Sequence, residues 1–131
     1  MIVLDASVVV EFTLNTDVGR RIGRRLSTPD ESAYAPHLLS VEVLQVLRRY
    51  VHVGLIDVLT AAAACVQLDA LPVQRYPHEL LLPRMWELRD NVTAYDATYV
   101  ALAEALEAPL LTTDGRLART PGLRAVIEVL D

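Results

Sequence analysis

The chain has 131 residues, of which 53% are hydrophobic and 22% charged, and this composition is typical of one globular domain covering residues 1–131. All 12 basic residues are arginines, which excludes chemistry that needs a lysine, such as a P-loop or a Schiff base. The only cysteine, Cys65, excludes an internal disulfide and favours a reducing compartment. The chain starts without the basic segment of a signal sequence, and no apolar run reaches the length of a membrane span. We therefore expect a cytoplasmic protein with no membrane association.

Short apolar segments alternate with helical segments along the chain. The first predicted strand is Ile2–Leu4, which ends at Asp5 and is followed by a second apolar run at Val8–Val10. Further strands are expected at residues 33–35, 72–77, 109–112 and 125–129, and helices at residues 18–26, 38–53, 60–71, 78–90 and 93–107. Pro83 fits its helix only in a first turn or at a kink. This alternation predicts an α/β domain with a parallel sheet of four to five strands.

Four acidic residues fall where ligands bind in parallel sheets, after the carboxyl end of a strand or in the first turns of a following helix. They are called the acidic quartet below and are Asp5, Glu42, Asp96 and Asp114. Asp5 directly follows a buried strand, and no cap or turn pattern requires an acid there. We therefore interpret Asp5 as a functional residue.

The other three members also have purely structural interpretations. Thr93 and Asp96 have the spacing of a helix capping box, and the helix dipole favours an acid at that position. Asp114 precedes Gly115 in a common turn sequence. Glu42 lies on a helical stripe of polar residues that could be a solvent-exposed face. Taken singly, these three residues leave structure and function open.

Four segments in chain order carry a resemblance to a known family. They are MIVLDASVVV at 1–10, SVEVL at 40–44, TAYDATYVALA at 93–103 and LLTTDGRL at 110–117. They resemble the PIN-domain ribonucleases, and specifically the VapC toxins of bacterial type II toxin–antitoxin systems. The similarity runs from residue 1 to about residue 129 at the family's usual spacing. It implies a three-layer α/β/α sandwich around a central parallel sheet.

The resemblance also implies that the acidic quartet binds one or two divalent cations, Mg²⁺ or Mn²⁺. Hard cations of this kind prefer carboxylate oxygens, and a bound cation activates water for attack on a phosphodiester. We expect Asp5 and Asp96 to be direct ligands and the other two acids to complete the site directly or through water. Ser7 and Thr112 match hydroxyl positions that support the site in relatives.

The activity implied by the resemblance is metal-dependent endoribonuclease cleavage of RNA by a toxin. The implied partners are a cognate VapB-like antitoxin that neutralises the toxin and a second copy of the chain in a homodimer, with a higher assembly in the presence of antitoxin. Two alternatives stay open from the residues alone. One is an inactive PIN-like module that binds RNA or protein, and the other is a metal-dependent nuclease that acts on DNA.

The net charge of −5 by itself speaks against a nucleic-acid partner. Setting the quartet aside from the 17 acids leaves 13 against 12 arginines, so the acidity belongs largely to the proposed site. Arg116, close to Asp114, is a candidate contact for RNA phosphate. The arginines of the first long helix are interpreted as a solvated face, and they are Arg20, Arg21, Arg24 and Arg25.

Three aromatic residues are interpreted as packing residues rather than base-stacking residues, and base stacking stays open for Tyr95 because it lies next to Asp96. Tyr95 and Tyr99 lie four residues apart on one predicted helix, and Trp86 lies among apolar neighbours.

Overall fold

The computed structural model describes all residues from 1 to 131 and contains five strands, seven α-helices and one 3₁₀ turn. The strands are β1 (Ile2–Leu4), β2 (Ala33–Pro36), β3 (Val73–Tyr76), β4 (Leu110–Thr112) and β5 (Ile127–Val129). The helices are α1 (Ala6–Thr13), α2 (Asp17–Leu26), α3 (Leu38–His52), α4 (Val58–Ala70), α5 (Leu82–Glu87), α6 (Ala94–Leu106) and α7 (Gly115–Ala118), and the 3₁₀ turn is Glu79–Leu81.

The five strands form one parallel sheet in the order β3-β2-β1-β4-β5. Helices α1 to α4 pack against one another on one face, and α6, with α5 beside it, packs on β1, β2 and β4 from the other face. Connections between parallel strands are right-handed, so the direction in which the chain moves along the sheet decides which face its helices cover. The chain moves from β1 to β3 in one direction and then from β3 to β5 in the other, which places the two groups of helices on opposite faces. The predicted three-layer α/β/α fold with a parallel sheet is confirmed.

The strand order places a crevice beside the central strand. β2 and β3 lie on one side of β1, and β4 and β5 lie on the other, so β1 and β4 flank the point where the order reverses. Ligands of parallel sheets bind at such a point, outside the carboxyl ends of the strands. Leu4 is in register with Leu111, and the backbone N–H of Asp5 donates to the carbonyl of Leu111 at 3.0 Å. The residues that end β1 and β4 are therefore neighbours at this edge.

The core is centred on β1, β4 and α6. Every residue of β1 and β4 is buried, as are seven consecutive residues of α6 from Ala97 to Ala103. A helix buried on all sides needs small side chains where it approaches its neighbours, and the alanines of α6 meet that need. On the opposite face, α1 and α2 approach so closely that a Cβ on Gly19 would lie 2.0 Å from the carbonyl oxygen of Glu11. Only glycine fits this crossing.

The structure differs from the sequence prediction in three elements. The run Val8–Val10 lies in α1, which begins directly after Asp5 and was not assigned from sequence, and α7 was not assigned either. The predicted helix 78–90 is wrong in its extent, since it divides into the 3₁₀ turn and the short helix α5. Pro83 explains the division, because proline cannot donate to a continuous helix and instead stands in the first turn of α5. None of the helices combines the length and the apolar character needed to cross a membrane.

Candidate active site

Asp5 lies at the end of the central strand, and two hydroxyl groups hold one of its carboxylate oxygens. The Ser7 hydroxyl donates to Oδ2 at 2.8 Å, and the Thr112 hydroxyl donates to the same oxygen at 2.7 Å. Asp5 Oδ1 accepts no hydrogen bond in the structure. The carboxylate is therefore fixed through one oxygen, and the other oxygen is left for a ligand.

The same two hydroxyls also fix the loop that follows β4. Ser7 Oγ accepts the backbone N–H of Thr113 at 3.0 Å, and Thr112 Oγ1 accepts the backbone N–H of Asp114 at 3.1 Å. Each hydroxyl thus accepts from the loop and donates to Asp5, and the two hydroxyl oxygens lie 3.3 Å apart. The two residues predicted to support the site are brought together at Asp5, and they also position the loop that carries Asp114.

Glu42 enters the site from α3. Its side chain is partly buried, and the Oε1 atom is fully buried without a hydrogen-bond partner. Burial, followed by the negative charges of Asp5 and Asp96, raises the pKa of Glu42 from 4.5 to about 7. The interpretation of Glu42 as part of a solvated face is therefore wrong, although Gln45 and Arg49 on the same helix are exposed.

Asp96 enters from the first turn of α6 on the opposite face of the sheet. Its backbone N–H donates to the Thr93 hydroxyl at 3.1 Å, so the predicted N-cap is present. Burial, followed by the charges of Asp5 and Asp114, raises the pKa of the Asp96 side chain. Capping and site membership therefore coexist, because the cap uses the backbone of Asp96 and leaves its carboxylate to face the other acids.

Asp114 completes the acidic quartet and caps the short helix α7. Its Oδ1 accepts the backbone N–H of Arg116 at 2.9 Å and the Arg116 Nε–H at 3.3 Å. These hydrogen bonds lower the pKa of Asp114, which keeps the carboxylate ionised. The Arg116 side chain is 86% exposed. The structure therefore places the exposed guanidinium of Arg116 at the rim of the quartet.

The quartet combines side chains from the residue after β1, from α3, from α6 and from the loop after β4, and the residues fit a divalent cation by their chemistry. All donors are carboxylate oxygens, one of them buried without a partner, and burial, followed by their mutual repulsion, raises the pKa of Glu42 and Asp96. No group of three or more His, Cys, Asp and Glu side chains already has the arrangement that holds a metal ion. Mg²⁺ is usually bound through one or two carboxylates with water and phosphate in the remaining positions, and Asp5 and Asp96 would supply these two carboxylates.

The aromatic residues behave differently from one another. Tyr99 is buried as predicted, with 1% of its surface exposed, but the packing interpretation is wrong for the other two: Trp86 is 69% and Tyr95 63% exposed. The guanidinium of Arg89 lies 4.8 Å from the centre of the Trp86 ring. The hydroxyl of Tyr99 is buried without a partner beside the quartet. The sequence pattern indicates packing alone for Tyr99, and its spacing of three residues from Asp96 is the signal that places it beside the quartet.

The arginines of α2 are not a uniformly solvated face. Arg20 pairs with Asp17 within the helix, whereas Arg25 is only 32% exposed and reaches Glu128 of β5 at 2.6 Å. Arg25 therefore links α2 to the edge of the sheet, and the prediction of a solvated face is wrong for this residue.

The chain is similar to PIN-domain proteins over nearly its whole length. Residues 2–123 match the PIN domain family. Ribonuclease VapC12 of Mycobacterium tuberculosis is 42% identical over 130 residues, covering 99% of each chain, and Ribonuclease VapC1 of the same organism is 45% identical over 132 residues, covering 98% of this chain and 96% of VapC1. The crystal structure of VapBC2 from Rickettsia felis bound to a DNA fragment from their promoter has the same fold, with a TM-score of 0.71, 16% identity and full coverage of both chains. The chain therefore belongs to the PIN-domain family, within its VapC ribonuclease branch.

Proposed function

We propose that the chain is a metal-dependent endoribonuclease toxin and that the acidic quartet binds its divalent cation. As a member of the VapC branch, it acts as an endoribonuclease. The observation that supports this site is the convergence of four carboxylates at the reversal point of the sheet, where burial and mutual repulsion raise the pKa of Glu42 to about 7. A cluster that resists ionisation in this way gains free energy from a bound cation, which restores the charge balance.

The chain's own residues have separate tasks in this proposal. A bound Mg²⁺ or Mn²⁺ supplies Lewis-acid chemistry, in that it activates water and stabilises negative charge on the phosphate. Asp5 offers its free Oδ1 to the cation while Ser7 and Thr112 hold Oδ2 in place. Asp96 is the second proposed direct ligand, and Glu42 gives up the proton favoured by its raised pKa when the cation binds. With Asp5, Asp96 and Glu42 in these roles, cleavage requires no covalent bond between the protein and the RNA.

Arg116 has a defined place in the proposal. Its guanidinium is exposed at the rim of the quartet, and its partner Asp114 is the member whose pKa is lowered. A phosphate approaching the cation would meet this guanidinium next to the cleavage site. We propose that Arg116 contacts an RNA phosphate once the substrate is bound.

The proposed regulatory partners are a VapB-like antitoxin and a second copy of the chain. Helices α3 and α4 expose apolar side chains that no other element of the chain covers, and these are Val41, Leu44, Val58, Leu59 and Val66. Exposed apolar surface of this kind is typical of protein interfaces. Light scattering of the purified chain, alone and with the product of an adjacent small reading frame, tests both partners. A monomer that binds no such product would contradict this part of the proposal.

Cleavage of total cellular RNA and of a matched DNA pool by the purified chain tests the activity. The reactions contain Mn²⁺, Mg²⁺ or EDTA, and use the wild type, Asp5→Asn in the site and Asp69→Asn on the exposed side of α4 as a matched control. We expect cation-dependent RNA cuts that persist in the control and vanish in Asp5→Asn. Cleavage of DNA alone would favour the DNA nuclease. Intact RNA and DNA with cation bound would favour a binding module.

A further inference from the structure

Tyr99 is the buried polar group that neither the fold nor the proposed mechanism explains. Its side chain is 1% exposed, and its hydroxyl is fully buried without a hydrogen-bond partner. Buried tyrosine hydroxyls almost always find a partner, because an unpaired hydroxyl loses its hydrogen bonds to water on folding. Phenylalanine would fill the same space without this cost. The hydroxyl therefore has no structural purpose in the chain alone, which indicates a role in ligand binding.

The group that faces the Tyr99 hydroxyl is the carboxylate of Glu42. Oε1 of Glu42 is the second buried oxygen at this place without a partner. The hydroxyl is near enough to lower the pKa of Glu42, but the two atoms are not in hydrogen-bond geometry. Oε2 of Glu42 is neither buried nor hydrogen-bonded, so it is the oxygen that remains open to the other acids. The two unpaired atoms thus lie on the protein side of the carboxylate.

The position of Tyr99 on α6 makes its hydroxyl a fixed point. Tyr99 follows Asp96 by three residues, so both lie toward the same side of the helix, with Tyr99 one turn deeper in the core. All residues from Ala97 to Ala103 are buried, which prevents the ring from moving. The Tyr99 hydroxyl carries a proton that it can donate to a carboxylate. A hydrogen bond between the two groups therefore requires the Glu42 side chain to turn toward the hydroxyl.

We propose that Tyr99 is a positioning residue for the cation site: its hydroxyl donates to Glu42 Oε1 when the cation binds and directs Glu42 Oε2 toward the cation. This inference rests on the proposed function, since it needs a cation at the quartet. Without a cation, the Tyr99 hydroxyl and Glu42 Oε1 are both unpaired. With a cation bound through Oε2, the Glu42 carboxylate is held in one orientation and Oε1 accepts the hydrogen bond. Hydrogen bonds of this type hold metal ligands in place.

The test measures Mn²⁺ affinity by isothermal titration calorimetry and the melting temperature in EDTA. It compares the wild type with Tyr99→Phe, which keeps the buried ring, and with Tyr95→Phe, a control at an exposed tyrosine of the same helix. We expect the Kd for Mn²⁺ to rise about 10-fold or more in Tyr99→Phe, the usual effect of removing a hydrogen-bond partner of a metal ligand. Tyr95→Phe should bind Mn²⁺ as the wild type does. In EDTA, Tyr99→Phe should melt at the same or a higher temperature, because the lost hydroxyl has no partner there.

A second measurement separates positioning from packing. In a Glu42→Ala background, Tyr99→Phe should not weaken Mn²⁺ binding further, because the side chain that accepts the proposed hydrogen bond is gone. Equal Mn²⁺ affinity of Tyr99→Phe and the wild type would overturn the inference and leave the proposed function intact. The same loss of affinity in both backgrounds, or a lower melting temperature of Tyr99→Phe in EDTA, would also overturn it. Failure of the wild type to bind Mn²⁺ would overturn the proposed cation site and this inference together.

Discussion

Glu42→Gln should stabilise the cation-free protein at alkaline pH. The pKa of Glu42 is raised from 4.5 to about 7, so the folded state holds a proton that the unfolded chain releases between these values. The folded state is therefore destabilised as pH rises from 4.5, and the effect is complete above pH 7. Each tenfold change in proton affinity corresponds to about 1.4 kcal/mol, so the loss in the free energy of unfolding has an upper limit of about 3 kcal/mol. Glu42 is partly solvated, and screening reduces the expected effect to about 2 kcal/mol.

Urea unfolding in EDTA between pH 5 and pH 8.5 measures this effect. Near pH 5, Glu42 is protonated in the fold, and Gln has nearly its size and charge, so the two proteins should differ little. At pH 8, Glu42→Gln should be more stable by about 2 kcal/mol, equivalent to about 8 °C in Tm for a chain of this size. Glu79→Gln, at an exposed acid, serves as the control and should keep the pH profile of the wild type. A Glu42→Gln protein that is no more stable than the wild type at pH 8 would refute the reasoning.

Three further predictions concern the cation and the packing around it. Mn²⁺ at about 100 times its Kd should stabilise the wild type by about 2.7 kcal/mol, and Asp96→Asn should reduce this gain; a melting curve indifferent to Mn²⁺ would contradict the site. Thr112→Val should lower the free energy of unfolding by about 1–3 kcal/mol, because two hydrogen bonds lose their shared hydroxyl, and an unchanged urea midpoint would contradict that role. Gly19→Ala should cost about 2–3 kcal/mol in urea unfolding, because its Cβ would collide with the backbone of Glu11, whereas Gly23→Ala, with its nearest contact at 3.5 Å, should be tolerated. Equal stability of the two alanine variants would contradict the described helix crossing.

The parts of the fold that sequence predicts are those in which local pattern and tertiary packing agree. β1 is a short apolar run that ends at an acid, and α6 begins at a capping threonine, so both elements could be assigned without a structure. α1 could not be assigned in this way, because three successive valines favour a strand by propensity. Its packing against α2, α3 and α4 overrides that propensity. Local preference therefore fails where an element is buried among several others.

The candidate site also has features that the sequence predicts and features that depend on tertiary packing. The acidic quartet is predicted from positions after strands, from positions in the first turns of helices and from the family resemblance. The partial burial of Glu42, in contrast, depends on how α3 packs at the end of the sheet. The unpaired hydroxyl of Tyr99 likewise depends on helix packing and has no local sequence signal. The exposure of Trp86 was missed because its apolar neighbours in sequence indicated packing, whereas α5 is a short outer helix that contains no fully buried residue.

Anomalous diffraction from crystals of the protein grown with Mn²⁺ tests the central claim most directly, because it locates the cation without reference to activity. The account predicts a Mn²⁺ peak at the end of β1, within coordination distance of Asp5 Oδ1 and the Asp96 carboxylate, and no peak there in Asp5→Asn crystals. Mn²⁺ bound elsewhere on the protein, with none at the acidic quartet, would contradict it.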